Sequence, residues 1–455
     1  MTSVMDVPAD IAPGRLSPRE YEVNFDDATP PLNRKQALIE AARCYFCYDA
    51  PCMEACPTGI DIPSFIRKIA TDNVKGAAVT ILEDNIMGGT CARVCPTEIL
   101  CEQACVRTAQ EHKPVTIGAL QRYATDWLFD REIQPFTRAE PTGRKVAVIG
   151  AGPAGLSCAH ALALHGHDVT VFEMQPKAGG LNEYGIAAYK MTNDFAQREV
   201  DFILSAGGIT IEYGKALGRD ITLAQLRADY DAVFLGIGHN AVNALRIAGE
   251  DLAGVSNAVD FIAALRQAPD KSVLPVGRRI VVIGGGNTAI DVATQSKRLG
   301  AEDVTIVYRR GPESMSATGA EQEWAQTNGV RIKYWAQPRA LLGVGGSLRE
   351  VEFEYTVLDE AGRLAGTGEV FRIAADMVFK AIGQSFVPSA VGEEGFAEIL
   401  EFQPDGRFAV NEDRQTSLAN VFAGGDCIGG IDLTVNAVQD GKVAARAIHR
   451  LLTGS

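Results

Sequence analysis

Positive charge is scarce in this 455-residue sequence: 43 Lys and Arg stand against 57 Asp and Glu, a formal net charge of −14. Non-specific binding to nucleic acid or to an anionic membrane surface needs clustered Lys and Arg, so both are disfavoured. No uninterrupted apolar run is long enough to span a bilayer. The N-terminal stretch is acidic and proline-containing, with no basic start leading into an apolar segment. No signal peptide is therefore visible, and the cytoplasm is the expected compartment. Repeats of fixed period and low-complexity tracts are also missing. Only six histidines occur, and His112 alone lies near the cysteine-rich part, so Cys/His zinc ligation has little support. What is present is an ordinary globular composition, 46% hydrophobic, long enough for two or three domains with large cores.

Cysteine is unevenly placed. Eight of the ten lie in two runs, "CYFCYDAPCMEACP" from residue 44 and "CARVCPTEILCEQAC" from residue 91, spaced C-x2-C-x4-C-x3-C and C-x3-C-x5-C-x3-C. A reducing compartment counts against a disulfide framework. The junctions Cys56-Pro57 and Cys95-Pro96 resemble the close of the bacterial ferredoxin run, whose last cysteine ligates the other cluster. The spacing favours iron–sulfur ligation, although two Cys₄ zinc sites would also satisfy the count. Between the runs, Asp61 and Pro63 predict a helix start, with Phe65, Ile66 and Ile69 as plain core. Cys158 and Cys427 stand alone, and without a CxxC there they read as small packed residues.

From residue 144, "RKVAVIGAGPAGLSCAHALALHGHDVTVFEM" runs strand, glycine turn, helix, strand. Gly150, Gly152 and Gly155 form GxGxxG, the helix starts at Pro153, and the second strand ends on Glu173. The glycines serve a tight turn, close approach of a pyrophosphate and helix–strand packing, while the acid takes a ribose hydroxyl. The pattern recurs from residue 278 with Gly284, Gly286 and Ala289 at the glycine positions. There Tyr308 replaces the acid and Arg309 and Arg310 follow, which suits a 2′-phosphate, although arginines closing a strand at the surface are also common. Two such motifs suggest two dinucleotides, most simply FAD in the first and NAD(P)H in the second.

"VFAGGDCIGGIDLTVNAVQDGK" presents an apolar strand, Gly425, Asp426 and a helix rich in small residues, similar to the segment that meets the ribityl chain in two-dinucleotide flavoproteins. The expected fold is α/β, with two Rossmann-like dinucleotide-binding domains preceded by an α-helical iron–sulfur domain. The NAD(P) domain is inserted in a split FAD domain. Expected boundaries are 1–139 for the helical domain with the two cysteine runs, 140–250 and 386–455 for the FAD domain, and 251–385 for the NAD(P) domain.

This order resembles the small subunit of bacterial glutamate synthase. It resembles more closely the electron-input half of dihydropyrimidine dehydrogenases, which some bacteria make as a separate subunit of an NAD(P)-dependent enzyme. The stretches that carry the closer resemblance are "NFDD", "DAPCMEACPTGIDIPSFI", "TCARVCPTEILC" and "IGALQRYATD". The resemblance implies that Cys44, Cys47, Cys52 and Cys105 hold one cluster and that Cys56, Cys95, Cys101 and Gln121 hold the other. Cys91 is then spare, unless it ligates in place of Gln121. It implies flavin contacts at Val94, Gly150, Gly152, Pro153, Ala154, Gly155, Glu173, Gly180, Leu181, Lys190, Leu217, Gly425, Asp426 and Thr434. Coenzyme contacts are implied at Gly284, Gly285, Gly286, Asn287, Thr288, Arg309, Arg310, Ala381, Ile382 and Gly383. Lys190 stands where the family has an arginine, and so does Ser316, the latter at a position that supports the 2′-phosphate. The coenzyme, NADP or NAD, stays open.

The implied activity is oxidation of NAD(P)H, with electrons passing through FAD and two [4Fe–4S] clusters to a partner subunit that holds FMN and further iron–sulfur clusters and reduces uracil and thymine. No acid–base residue is nominated, because the cofactors carry the chemistry. Alternatives are a glutamate synthase small subunit, a ferredoxin–NAD(P) reductase and a redox-sensing module.

Overall fold

The computed structural model describes residues 10–239, 241–388 and 400–454. In chain order the elements that carry the sites begin with helices α1 (Ile62–Ala70), α2 (Gly88–Val94) and α3 (Ile117–Phe129). Next come strand β1 (Lys145–Ile149), helix α4 (Pro153–Leu164), strand β2 (Asp168–Glu173), helix α5 (Phe195–Leu204), and strands β3 (Ile209–Tyr213), β4 (Ala232–Leu235) and β5 (Val255–Asn257). They are followed by β6 (Arg279–Gly284), α6 (Asn287–Arg298), β7 (Asp303–Val307), α7 (Gly319–Thr327) and β8 (Arg331–Lys333). The chain continues through β9 (Ala336–Val344), β10 (Ser347–Leu358), β11 (Leu364–Ala374), β12 (Met377–Ala381), β13 (Val421–Ala423) and α8 (Thr434–Thr453). No helix among the described residues is long and apolar enough to cross a membrane.

Packing groups these residues into two compact units, one formed by 10–28, 184–192 and 242–384, the other by 29–183, 193–241 and 385–454. In the second unit, parallel strands lie in the order β13-β4-β1-β2-β3. Val146, Ala147, Val148 and Ile149 are all buried, as a parallel strand covered on both faces requires. Helix α4 packs along α8 so closely that a Cβ on Gly441 would fall 2.2 Å from the Ala154 carbonyl oxygen. The cysteine-bearing helices belong to this unit too. Asp61 caps α1 by accepting the Ser64 N–H at 3.0 Å, and Phe65, Ile66 and Ile69 are buried, as the sequence predicts.

In the first unit the parallel order is β8-β7-β6-β12-β5, with β9, β10 and β11 forming an antiparallel sheet. Ile280 and Val282 face one core and Val281 and Ile283 another, the period-two alternation of a strand. Residues 10–28 depart from the expected 1–139 boundary. Ile11 pairs with Gly277, Tyr21 is buried in the core beside Ile280, and Asn24 donates to the Arg298 carbonyl at 2.9 Å. Residues 184–192 likewise leave the expected 140–250 stretch for this unit.

Candidate functional site

The two cysteine runs interleave. Cys105, from the second run, lines one small cavity with Cys44, Cys47 and Cys52 from the first, against Ile62, Ile66 and Ile117. Conversely, Cys56 of the first run lies close enough to Cys95 and Cys101 of the second to act electrostatically on both thiols. The Cys95 thiol is pushed well up by a hydrogen bond with Cys91, by burial and by these neighbouring thiols. Four thiols around one small, largely apolar cavity are the ligand set that a four-iron cluster takes. Gln121 is buried on α3, and its amide nitrogen donates to the Gly88 carbonyl at 2.7 Å. That bond engages the nitrogen and leaves the amide oxygen as the end of the side chain with lone pairs to offer.

In the same unit, the turn between β1 and α4 has the form a dinucleotide needs. Gly150 has φ +94°, and a Cβ on Gly155 would fall 1.9 Å from the Gly150 carbonyl oxygen, so helix and strand approach as only glycine allows. Helix α4 begins at Pro153 and Ala154 with Gly152 as an N-cap that has no side chain, which leaves the helix N-terminus open to a phosphate. The loop at Gly180 and Leu181 closes on it, through the Gly179 N–H donated to Ala151 at 2.7 Å. Glu173 is buried and accepts the N–H groups of Ala151 at 2.8 Å and Gln175 at 2.7 Å, each oxygen keeping acceptor capacity for a ribose hydroxyl. Burial raises its pKa against the pull of those bonds.

Gly425 and Asp426 border a cleft of about 400 Å³ that Asn436 and Asp440 also line. Burial raises the pKa of Asp426, with Asp432 adding to the effect. The Asn436 side-chain oxygen and the Gln439 side-chain oxygen, both on the first two turns of α8, are buried without a partner among the described residues. A cofactor-sized cleft into whose lining Asn436 brings an orphaned polar atom fits a bound flavin. Thr434 opens α8 and donates to Asn182 at 2.9 Å, Leu217 is buried, and Val94 is half-buried at the end of α2, next to Cys95.

The first unit repeats the arrangement. Helix α6 begins at Asn287 and Thr288, with Gly286 as a bare N-cap, and Gly284 has φ +147° beside Ala381 at the end of β12, which Ile382 and Gly383 follow. The Gly285 backbone lies against the Tyr308 ring, whose hydroxyl donates to the Ser314 carbonyl at 2.6 Å. Arg309 is exposed and Arg310 half-buried, and neither guanidinium has a partner among the described residues. The Ser316 hydroxyl lies 3.4 Å from the Gly285 carbonyl oxygen, on the same loop.

Lys190 belongs to this first unit, unlike the other residues implied at the flavin. Its ammonium lies 2.9 Å from Asp291 and 2.8 Å from Glu321. Burial works against the charge, but Asp291, Tyr189 and Glu321 outweigh it and its pKa is raised.

Several residues at these sites have no motif in the sequence. Asp291 follows Asn287 by one helical turn on the motif helix, at a position that no spacing in the sequence singles out. Glu199, on α5, accepts the N–H of Thr90 at 3.0 Å and the Thr90 hydroxyl. Lys442, on α8, donates to the carbonyl oxygens of Thr58 at 3.0 Å and Asp84 at 2.7 Å.

Two family profiles match the chain. Residues 21–133 match the dihydropyrimidine dehydrogenase domain II, 4Fe-4S cluster, and residues 144–441 match the pyridine nucleotide-disulphide oxidoreductases. The NAD-dependent dihydropyrimidine dehydrogenase subunit PreT of Salmonella typhimurium is 37% identical over 94% of this chain and 97% of its own length. The glutamate synthase [NADPH] small chain of Escherichia coli is 34% identical over 95% of this chain and 94% of its own. Among solved structures, FprA of Mycobacterium tuberculosis in complex with NADPH aligns with a TM-score of 0.56 at 21% identity, covering 69% of this chain and 85% of that one. This last likeness speaks for the fold.

Proposed function

The chain belongs to the pyridine nucleotide-disulphide oxidoreductase family, as a member with a dihydropyrimidine-dehydrogenase-type 4Fe-4S domain, and from that premise we propose that it is the electron-input subunit of a dihydropyrimidine dehydrogenase. Its cofactors are FAD, a nicotinamide dinucleotide and 4Fe-4S clusters. When bound, the flavin supplies the conversion of a hydride into single electrons. The residues bind and orient. In this reading Glu173 and Asp426 hold flavin hydroxyls and the α4 N-terminus faces the pyrophosphate. Arg309 and Arg310 meet the coenzyme's adenosine end. Cys44, Cys47, Cys52 and Cys105 ligate one cluster, and Cys56, Cys95, Cys101 and Gln121 the other. The electrons leave to a partner subunit carrying FMN and further iron–sulfur clusters, where uracil and thymine become 5,6-dihydropyrimidines.

One observation supports this reading above the rest. Cys105 lines a cavity with three cysteines of the other run, inside the same compact unit as the flavin motif. A glutamate synthase small chain is the second reading, supported by the 34% identity.

The test is a dye-reductase assay of anaerobically purified protein with NADH and NADPH in turn, with iron and flavin measured on the same sample. About eight irons and one FAD per chain with steady turnover are expected. Stoichiometric zinc in place of iron would sink the ligand assignment.

A further inference from the structure

Helix α8 sends one side chain into the cysteine-bearing part of its unit. The ammonium of Lys442 is largely buried and donates to the carbonyl oxygens of Thr58 at 3.0 Å and Asp84 at 2.7 Å. Thr58 is itself buried, and its hydroxyl lies 3.4 Å from the Cys56 sulfur. The Gly59 N–H closes the turn onto the Cys56 carbonyl at 2.9 Å. A largely buried cation is therefore bound to the turn that Cys56 opens. Its nearest carboxylate, Asp84, lies 3.5 Å away and is partly exposed, so water screens the anion more than the cation. Arg446, one turn further along α8, is exposed.

We propose that Lys442 is a tuning residue, whose charge raises the reduction potential of the cluster that Cys56 ligates. The inference rests on the ligand assignment proposed above. Reduction of a four-iron cluster adds one electron and one unit of negative charge. A fixed cation in a low-dielectric surround stabilises the reduced form more than the oxidised one. The electron comes from the flavin reduced by NAD(P)H, each hydride supplying one electron for each of two clusters. No bond changes at Lys442, and Nζ keeps its protons. The consequence is direction: electrons leaving the flavin are drawn toward the cluster that adjoins Val94 and Cys95.

The test is a mediated redox titration of the full chain, purified anaerobically and followed by EPR, comparing Lys442→Gln, Lys442→Arg and Asp84→Asn with the unmodified protein. Iron and flavin are measured on each sample. In Lys442→Gln one cluster's midpoint is expected to move negative while the other stays, with iron content kept. Lys442→Arg should stay near the unmodified value, and Asp84→Asn should move the same midpoint positive. Shifts of opposite sign report charge, which loosened packing would not produce. Unchanged midpoints in Lys442→Gln with full iron overturn the proposal and leave the ligand assignment standing. Loss of about four irons from Lys442→Gln also overturns it, making the residue a clamp. Absence of clusters in the unmodified chain overturns the ligand assignment and the tuning role together.

Discussion

The carboxylate of Glu199 accepts both the backbone N–H and the hydroxyl of Thr90, three residues into helix α2. The helix's own N-cap is Met87, which has no polar side chain to offer. A residue from α5 therefore does in trans what a Ser or Asp cap does locally. The helix it secures carries Cys91 and leads directly into Cys95, and its first carbonyl takes the Gln121 amide.

Replacing Glu199 with Ala should unseat that helix. Two buried donors would lose their acceptor, at roughly 1–3 kcal/mol each. A stability loss on the order of 2–6 kcal/mol is expected, along with a fall from about eight irons per chain toward four. Chemical denaturation and an iron assay on the same preparation check both. Full iron content in the variant would separate the cap from the cluster.

Glu199 also gives a pH dependence. Burial raises its pKa from the usual carboxylate range to about 7, with the Thr90 bonds and Arg93 only partly offsetting. A folded-state pKa raised above the unfolded value contributes stability that is complete below about 4.5 and lost as pH rises through about 7. Glu199→Gln should therefore gain on the unmodified protein as pH climbs from about 4.5 to about 7, the window the two pKa values define. Melting temperatures of both proteins at the two pH values decide it. A constant difference between them would mean that Glu199 does not titrate there.

Lys190 holds two carboxylates together, Asp291 and Glu321. Lys190→Met should cost about 3–5 kcal/mol, because it leaves buried like charges uncompensated. Adding Asp291→Asn in that background should recover a good part of the loss, and a double-mutant cycle by urea denaturation measures it. A purely additive cycle would contradict the ion-pair account.

Arg309 and Arg310 should discriminate between coenzymes. A charge-assisted bond to a 2′-phosphate is worth about 1.5–3 kcal/mol, so replacing both with Ala should lower kcat/KM for NADPH at least ~10-fold. The value for NADH should change far less. Equal losses with both coenzymes would place the arginines on the shared part of the molecule.

Much of this was legible from local pattern. The strand–glycine–helix order at Gly150 and Gly284, the acid at Glu173 and the Asp61 cap follow from spacings within a single supersecondary unit, so one stretch of sequence contains the whole signal. The interleaving of the cysteine runs needed the resemblance, because spacing alone leaves the pairing of eight thiols open. What stayed hidden depends on long-range contacts. Ile11 meets Gly277, and Lys190 meets Asp291 and Glu321, across more than a hundred residues of chain. Lys442 and Glu199 stand at positions that no motif or spacing in the sequence singles out. Their role comes only from what the fold places opposite them.

The most direct single measurement is anaerobic reduction of the purified chain by NADPH or NADH, followed at once by visible absorbance and low-temperature EPR. Bleaching of the flavin together with the signal of reduced four-iron clusters is expected, with no partner subunit present. Flavin bleaching without any iron–sulfur signal, in a sample that holds its full iron, would contradict electron input through the cysteine-bearing helices.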